Sequence, residues 1–243
     1  MISACLITYN EEELLPRCLK FLEEMPSVKE ICIVDSYSTD NTRYIIQDFM
    51  GVTTKKIKVY AKTFYNFSEQ RNLSLEMATE DWILIIDADE TYTKNLEEFA
   101  QWLQKSSSLI NAVRIPTLVM VDENNYLNKS DTDPHVRLFR RGFAKFQREV
   151  HELLTDDSGR ILHGAYDNDI LTTMHEYSDV WMKHWQLLKS DEALKNKGNR
   201  WESLGMIEAS KNAGIPITKD FWLKVKREEP ILIGVNALPE AWK

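Results

Sequence analysis

Over roughly the first ninety residues, apolar runs alternate with helix-like segments. Residues 2–8 (ISACLIT), 30–35 (EICIVD) and 82–86 (WILII) are short, β-rich apolar runs, and residues 56–60 alternate like a strand. Between them, Asn10-Glu11-Glu12-Glu13 predicts a helix start. Asn10 is the cap, Glu13 sits at the third helical position, and Leu14, Leu15, Leu19 and Leu22 form the apolar face. Ser38-Thr39-Asp40 predicts the cap of a second helix carrying Tyr44, Ile45 and Phe49, and residues 67–78 read as a third. Strands separated by helices of ~10–15 residues predict βαβ units and a parallel sheet. Apolar runs without alternation fit strands covered on both faces. Ligands of such sheets sit beyond the carboxyl ends of the strands. Here those ends are Thr8-Tyr9-Asn10, Asp35-Ser36 and Asp87-Ala88-Asp89.

The pattern then changes. Residues 93–105 predict a helix, and 112–121, 135–141 and 170–174 predict further strands, joined by polar turns at 122–125 and 156–159. Residues 180–197 read as one long amphipathic helix, with Trp181, Trp185 and Leu188 packed inward. Two more helices are expected near 201–213 and 219–226, and the apolar tail 231–243 should pack down. No internal repeat or linker interrupts the chain. The expectation is one α/β domain with a helical C-terminal extension over residues 191–243.

Composition narrows the chemistry. A chain of 243 residues, 43% hydrophobic and 28% charged, suits a globular domain with an ample core. The formal charge of −8 counts against nucleic acid as a partner, because duplex binding usually requires a basic excess. No apolar run approaches the ~18–20 residues that span a bilayer. The start, MISACLITYN, lacks the basic region of a signal peptide. Cys5, Cys18 and Cys32 form no CxxC pair and read as buried thiols of a reducing compartment, so a cytoplasmic protein is expected.

The strongest chemical signal is Asp87-Ala88-Asp89. An apolar strand ends in two carboxylates, the hard oxygen ligands that Mg²⁺ and Mn²⁺ share with phosphates and water. Helix capping or a structural ion pair would account for the same residues. Arg71 lies one helix earlier and could clamp phosphate through its fork of donors, or be a surface arginine. Asp35 could accept from a nucleobase or cap a turn. Arg137, Arg140 and Arg141 form a basic strand for which solvent exposure is the default. Neither His151 nor His175 belongs to an HExxH zinc motif, and GxSxG, Walker and GxGxxG loops are missing.

LITYNEEELLPRCL, IVDSYSTDNT, FSEQRN and WILIIDADE, in that order and spacing, resemble the family 2 glycosyltransferases of GT-A fold. The later runs 137–141 and 148–152 resemble a subgroup that includes bacterial lipopolysaccharide-core transferases and bacteriocin peptide S-glycosyltransferases. The resemblance covers about residues 1–190, with a nucleotide-sugar half (1–92) and an acceptor-side half (93–190). It implies that Thr8, Tyr9, Asn10 and Glu11 surround the nucleoside and that Asp35 lies near the uracil. Many relatives carry a second aspartate where this chain has Ser36, which leaves UDP against other nucleotides open. Arg71 is implied to reach the nucleotide or its diphosphate. Asp87 is implied on the ribose or metal side of the motif, with Ala88 beside the donor and Asp89 as principal ligand of Mn²⁺ or Mg²⁺. His175 is implied to complete the metal shell. In the His151-Glu152 pair, Glu152 is the implied acceptor-side base. The implied reaction is inverting transfer from a nucleotide sugar, a UDP-sugar in the first place, to a saccharide, lipid-linked or peptide acceptor. A membrane-borne acceptor would bring the protein to the inner face of the cell membrane. A nucleotidyltransferase and a non-catalytic sugar-nucleotide-binding module stay open as alternatives.

Overall fold

The first apolar runs close into the middle of one sheet. A computed structural model of the chain describes residues 1–106, 109–127, 134–149, 152–162, 169–172, 180–212, 218–227 and 232–234. β1 (Ile2–Thr8), α1 (Leu15–Glu23), β2 (Val28–Asp35), α2 (Thr42–Val52), β3 (Lys56–Ala61), α3 (Phe67–Met77) and β4 (Trp82–Ile85) follow in turn. β1 pairs in parallel with β2 on one side and β4 on the other, and β3 adds in parallel beyond β2. These are the expected βαβ units.

The second half comprises β5 (Glu90–Tyr92), α4 (Leu96–Ser106), β6 (Ala112–Ile115), β7 (Thr117–Val119), β8 (Asn125–Leu127), β9 (His135–Arg140), β10 (Ala144–Gln147), β11 (Leu153–Asp156), β12 (Ile170–Thr172) and β13 (Met182–His184). A 3-10 turn, Gln186–Leu188, leads into α5 (Asp191–Ser203), α6 (Met206–Asn212), α7 (Phe221–Arg227) and β14 (Leu232–Gly234). Among the described residues the central sheet has seven strands in the order β12-β6-β9-β4-β1-β2-β3. Within it β9 runs antiparallel to β4 and β6.

Alternate residues of the central strands enter opposite layers. Ala4, Leu6, Ile31, Ile33 and Leu84 pack under α1 and α4, whereas Cys5, Cys32, Ile83 and Ile85 face α3 and the β10–β11 hairpin. Both faces are therefore apolar, which is why the runs show no alternation. Each fully buried Leu or Ile contributes about 1.5–3 kcal/mol. All three cysteines are free and buried. At the sheet end opposite the carboxyl ends of β1 and β2, Glu30 is fully buried. It accepts from Ser3 Oγ at 2.9 Å and from Thr79 N and Oγ1, both at 2.8 Å, and pairs with Lys58 at 2.8 Å. Burial alone would raise its pKa, but Lys58, Thr79 and Ser3 hold it down to about 2. No helix among the described residues is long and apolar enough to cross a membrane.

Several expectations are corrected. Asn10 does not cap α1; it turns the chain at φ 53°, and α1 starts five residues later, at Leu15, with Pro16 in its first turn. The run 112–121 is two strands. Pro116 cannot donate to a ladder, and beyond it the chain leaves the central sheet and joins β5 and β13 in a three-stranded sheet as β7. Residues 180–197 are not one helix. Met182–His184 is spent on ladders to Thr91 and Leu118, and Ser190 caps α5, its side chain accepting from Ala193 N at 3.1 Å. Trp181, Trp185 and Leu188 do pack together, in a cluster with Leu14, Leu118, Met120 and Tyr126. The helix expected at 201–213 is broken at Gly205, φ +69°, and the expected tail contributes β14, which pairs with β8.

Candidate active site

The first-strand loop and the loop after β2 are fastened together. Asn10 N donates to Ser38 Oγ (2.9 Å), Glu11 N to Thr42 Oγ1 (2.7 Å) and Glu12 N to Asp40 Oδ2 (3.1 Å). The Asn10 side chain accepts from Thr39 N at 2.8 Å, so the expected capping residue serves the neighbouring loop. Ser36 is buried, and its N–H donates to Thr8 O at 2.9 Å. Asp35 is also buried. Its carboxylate accepts from Thr8 Oγ1 (3.1 Å), Ser38 N (3.0 Å) and Ser38 Oγ (2.5 Å), which is the turn-capping role weighed for it above.

Arg71 joins the two halves. Its guanidinium forks onto Asp87 at 2.9 and 3.2 Å, and its Nε donates to Glu152 Oε1 at 2.7 Å. α3 holds this geometry because it is fastened to the strand that leads to Glu152. Asn72 exchanges hydrogen bonds of 2.9 and 2.8 Å with the backbone of Phe146, and Ser68 donates to Arg148 O. Arg148 lies at φ 73°, turning the chain back across α3. Burial pushes the Arg71 guanidinium down, but Asp87 and Glu152 together raise it above its usual value. Burial likewise pushes Asp87 up, and Arg71 reverses this to hold it low.

The second carboxylate of the motif has cationic company that sequence reasoning missed. Asp89 is buried beside Lys189 (3.3 Å), Lys197 (3.7 Å) and His184 (3.6 Å), and Lys189 also pairs with Glu11 at 2.6 Å. Against the penalty of burial, Lys189, Lys197 and His184 hold Asp89 well below the usual carboxylate range, while burial leaves Glu11 raised. Glu90 is a second omission. Buried, it accepts from Asp87 N (2.8 Å) and from both arms of Arg137 (3.2 and 3.0 Å), so Arg137 is not the solvent-exposed residue expected. Ala88 is buried between these acids. Only a helix start at residue 191, signalled by Ser190-Asp191-Glu192, would have hinted that Lys189 sits apart from the helix. His151 and His175 lie outside the described residues.

Among the described residues, no three His, Cys, Asp or Glu side chains converge as a ready-made metal cage. Yet Asp89 Oδ2 and Glu11 Oε2 are buried and accept no well-directed hydrogen bond, although each faces an ammonium. Both are hard oxygens of the kind Mg²⁺ or Mn²⁺ shares with phosphate and water, and a metal there would take the place of the Lys189 ammonium that stands 2.6 and 3.3 Å from them.

A mainly parallel sheet whose central strand ends in Asp87-Ala88-Asp89, beneath a first-strand loop, is the GT-A arrangement of nucleotide-sugar enzymes. The model of glycosyl transferase family 2 matches residues 3–161, and the chain belongs to that family. It is 35% identical over 153 residues to the SPbeta prophage-derived glycosyltransferase SunS of Bacillus subtilis, covering 62% of this chain and 34% of SunS. It is 29% identical over 172 residues to the lipopolysaccharide core biosynthesis glycosyltransferase LpsC of Rhizobium meliloti, covering 67% of this chain and 62% of LpsC. The chain thus spans about a third of SunS and under two thirds of LpsC. Its fold is similar to S. aureus TarS 1–349 (TM-score 0.54, 17% identity, 81% of this chain and 64% of that one). It is also similar to the mannosyltransferase PcManGT of Pyrobaculum calidifontis, solved with GDP-Man and Mn²⁺ (TM-score 0.50, 15% identity, 93% and 72%).

Proposed function

We propose that the protein transfers a sugar, with inversion, from a nucleotide sugar to a nucleophilic acceptor, with Glu152 as general base. The observation that carries this reading is the Arg71 bridge, which brings the strand-end Asp87 and Glu152 within the span of one guanidinium. Donor and acceptor chemistry must meet at the anomeric carbon, and the bridge unites their two expected sides. Thr8, Tyr9, Asn10 and Glu11 line the nucleoside side, with the loop of Asp35 and Ser36 behind them. Glu152 takes the acceptor's proton as its oxygen, or another nucleophilic atom, attacks the anomeric carbon. The bond to the diphosphate breaks on the opposite face, and the nucleoside diphosphate leaves as an anion beside Arg71. Asp89, with Asp87 and His175, would hold a Mn²⁺ or Mg²⁺. When bound, that metal neutralises charge on the leaving diphosphate.

A UDP-sugar is the donor we infer from the family resemblance, and the acceptor is a saccharide, a lipid-linked sugar or a peptide. Residues 1–190 form the transferase unit of this reading and 191–243 its extension, at work in the cytoplasm or at the inner membrane face. The test is Glu152→Gln, which keeps volume and an acceptor for Arg71 but cannot take a proton. We expect turnover to fall about 100-fold or more, with UDP affinity by calorimetry unchanged within about threefold. Near wild-type turnover would refute the assignment.

A further inference from the structure

The family match ends at residue 161, and α5 lies beyond it. Even so, α5 is fastened to the first-strand loop. Ser190 donates from its N–H and hydroxyl to Glu13 at 2.7 and 2.6 Å. On the far side, a Cβ at Gly198 would stand 2.0 Å from Lys219 O, so α5 rests against backbone with no room for a side chain. The helix is gripped on both sides.

Its inward face carries Lys197 and Arg200, three residues apart and so neighbours on one helix face. Lys197 approaches Asp89 at 3.7 Å. The Arg200 guanidinium carbon lies 3.2 Å from the centre of the Tyr9 ring and 5.5 Å from that of Phe64. Among the described residues no carboxylate pairs with Arg200, so its donors are not committed to an ion pair. Tyr9 belongs to the loop that the proposed function assigns to the nucleoside. Asp35, which the family resemblance implies near the base, is buried and already accepts three hydrogen bonds from Thr8 and Ser38, leaving it about one open lone-pair site, and the next position is Ser36. A base bound beside Tyr9 therefore needs another partner. Nucleobases stack on aromatic rings and on guanidinium planes. Arginine carries five N–H donors and no acceptor, so it reads carbonyl edges.

We propose that Arg200 determines donor-base specificity: with Tyr9 it forms one wall of the nucleoside site and selects a carbonyl-bearing base, uracil or guanine, over adenine. This rests on the donor-site reading above, and the experiment separates the two. Calorimetry on the full chain compares UDP, GDP, ADP and inorganic pyrophosphate with wild type, Arg200→Ala, Arg200→Lys and Tyr9→Leu. We expect wild type to bind UDP or GDP at least tenfold more tightly than ADP. Arg200→Ala should weaken that nucleotide about tenfold, in the range set by base stacking, and pyrophosphate by less than twofold. Arg200→Lys, which keeps the charge but loses the plane and fork, should behave like Arg200→Ala. Tyr9→Leu should show the same selective loss even if Arg200→Ala fails to fold. Equal losses for nucleotide and pyrophosphate, full recovery by lysine, or unchanged UDP binding would overturn the assignment while leaving the donor site intact. A wild-type chain that binds none of the four would overturn both.

Discussion

At the residue scale, the site is a set of shared charges. One guanidinium serves Asp87 and Glu152, and one ammonium serves Glu11 and Asp89. Breaking a buried pair leaves an uncompensated charge, which costs about 3–5 kcal/mol. The Lys189 side chain is 4% exposed, so Lys189→Met should destabilise the protein by that order at pH 7, measured by urea unfolding. The loss should shrink at low pH as the carboxylates take up protons. A change under about 1 kcal/mol would show that water or another cation compensates these carboxylates. Asp87, Ala88 and Asp89 were legible because they follow an apolar strand, and Arg71 because it lies on the helix just before that strand. Lys189 and Lys197 were not, because they stand about a hundred residues away in sequence and nothing local to them reports on Asp89.

At the element scale, α5 packs onto the first-strand loop and Asp89 instead of standing apart as an appendage. Its position depends on the lack of a side chain at Gly198. Glycine to alanine in a helix interior normally stabilises by about 1 kcal/mol. Here the added Cβ would meet Lys219 O at 2.0 Å, far inside contact, and backbone cannot yield as a flexible side chain does. Gly198→Ala should therefore lower the melting temperature and weaken UDP binding together. A raised melting temperature with unchanged affinity would show that α5 is not held there. β1, β2 and β4 were readable because residues buried on both faces form continuous apolar runs, and the largely exposed edge strand β3 because its residues alternate. The stretch 180–197 was misread because its tryptophans satisfy a helical period while Met182–His184 is claimed by two strand partners distant in sequence. Tertiary pairing outweighed local pattern.

At the scale of the whole molecule, the two ends of the central sheet do different work. The carboxyl edge gathers shared ion pairs, and the opposite end is pinned by Glu30. That carboxylate titrates at about 2 in the folded protein against an ordinary 4.5. Its folded pKa is depressed, so its contribution is fully present above pH ~4.5 and is lost as pH falls from there toward 2. The shift corresponds to about 3 kcal/mol. Glu30→Gln should flatten that part of the acid limb of the stability curve, and an unchanged limb would place the acid sensitivity elsewhere.

We propose glycosyl transfer from a nucleotide sugar at this edge. Phosphorus NMR of the full chain with UDP- and GDP-sugars and Mn²⁺, over a panel of saccharide and peptide acceptors, tests it most directly. We expect release of nucleoside diphosphate that is lost in Glu152→Gln. Release of pyrophosphate, or a donor left intact across the panel although it binds, would contradict it.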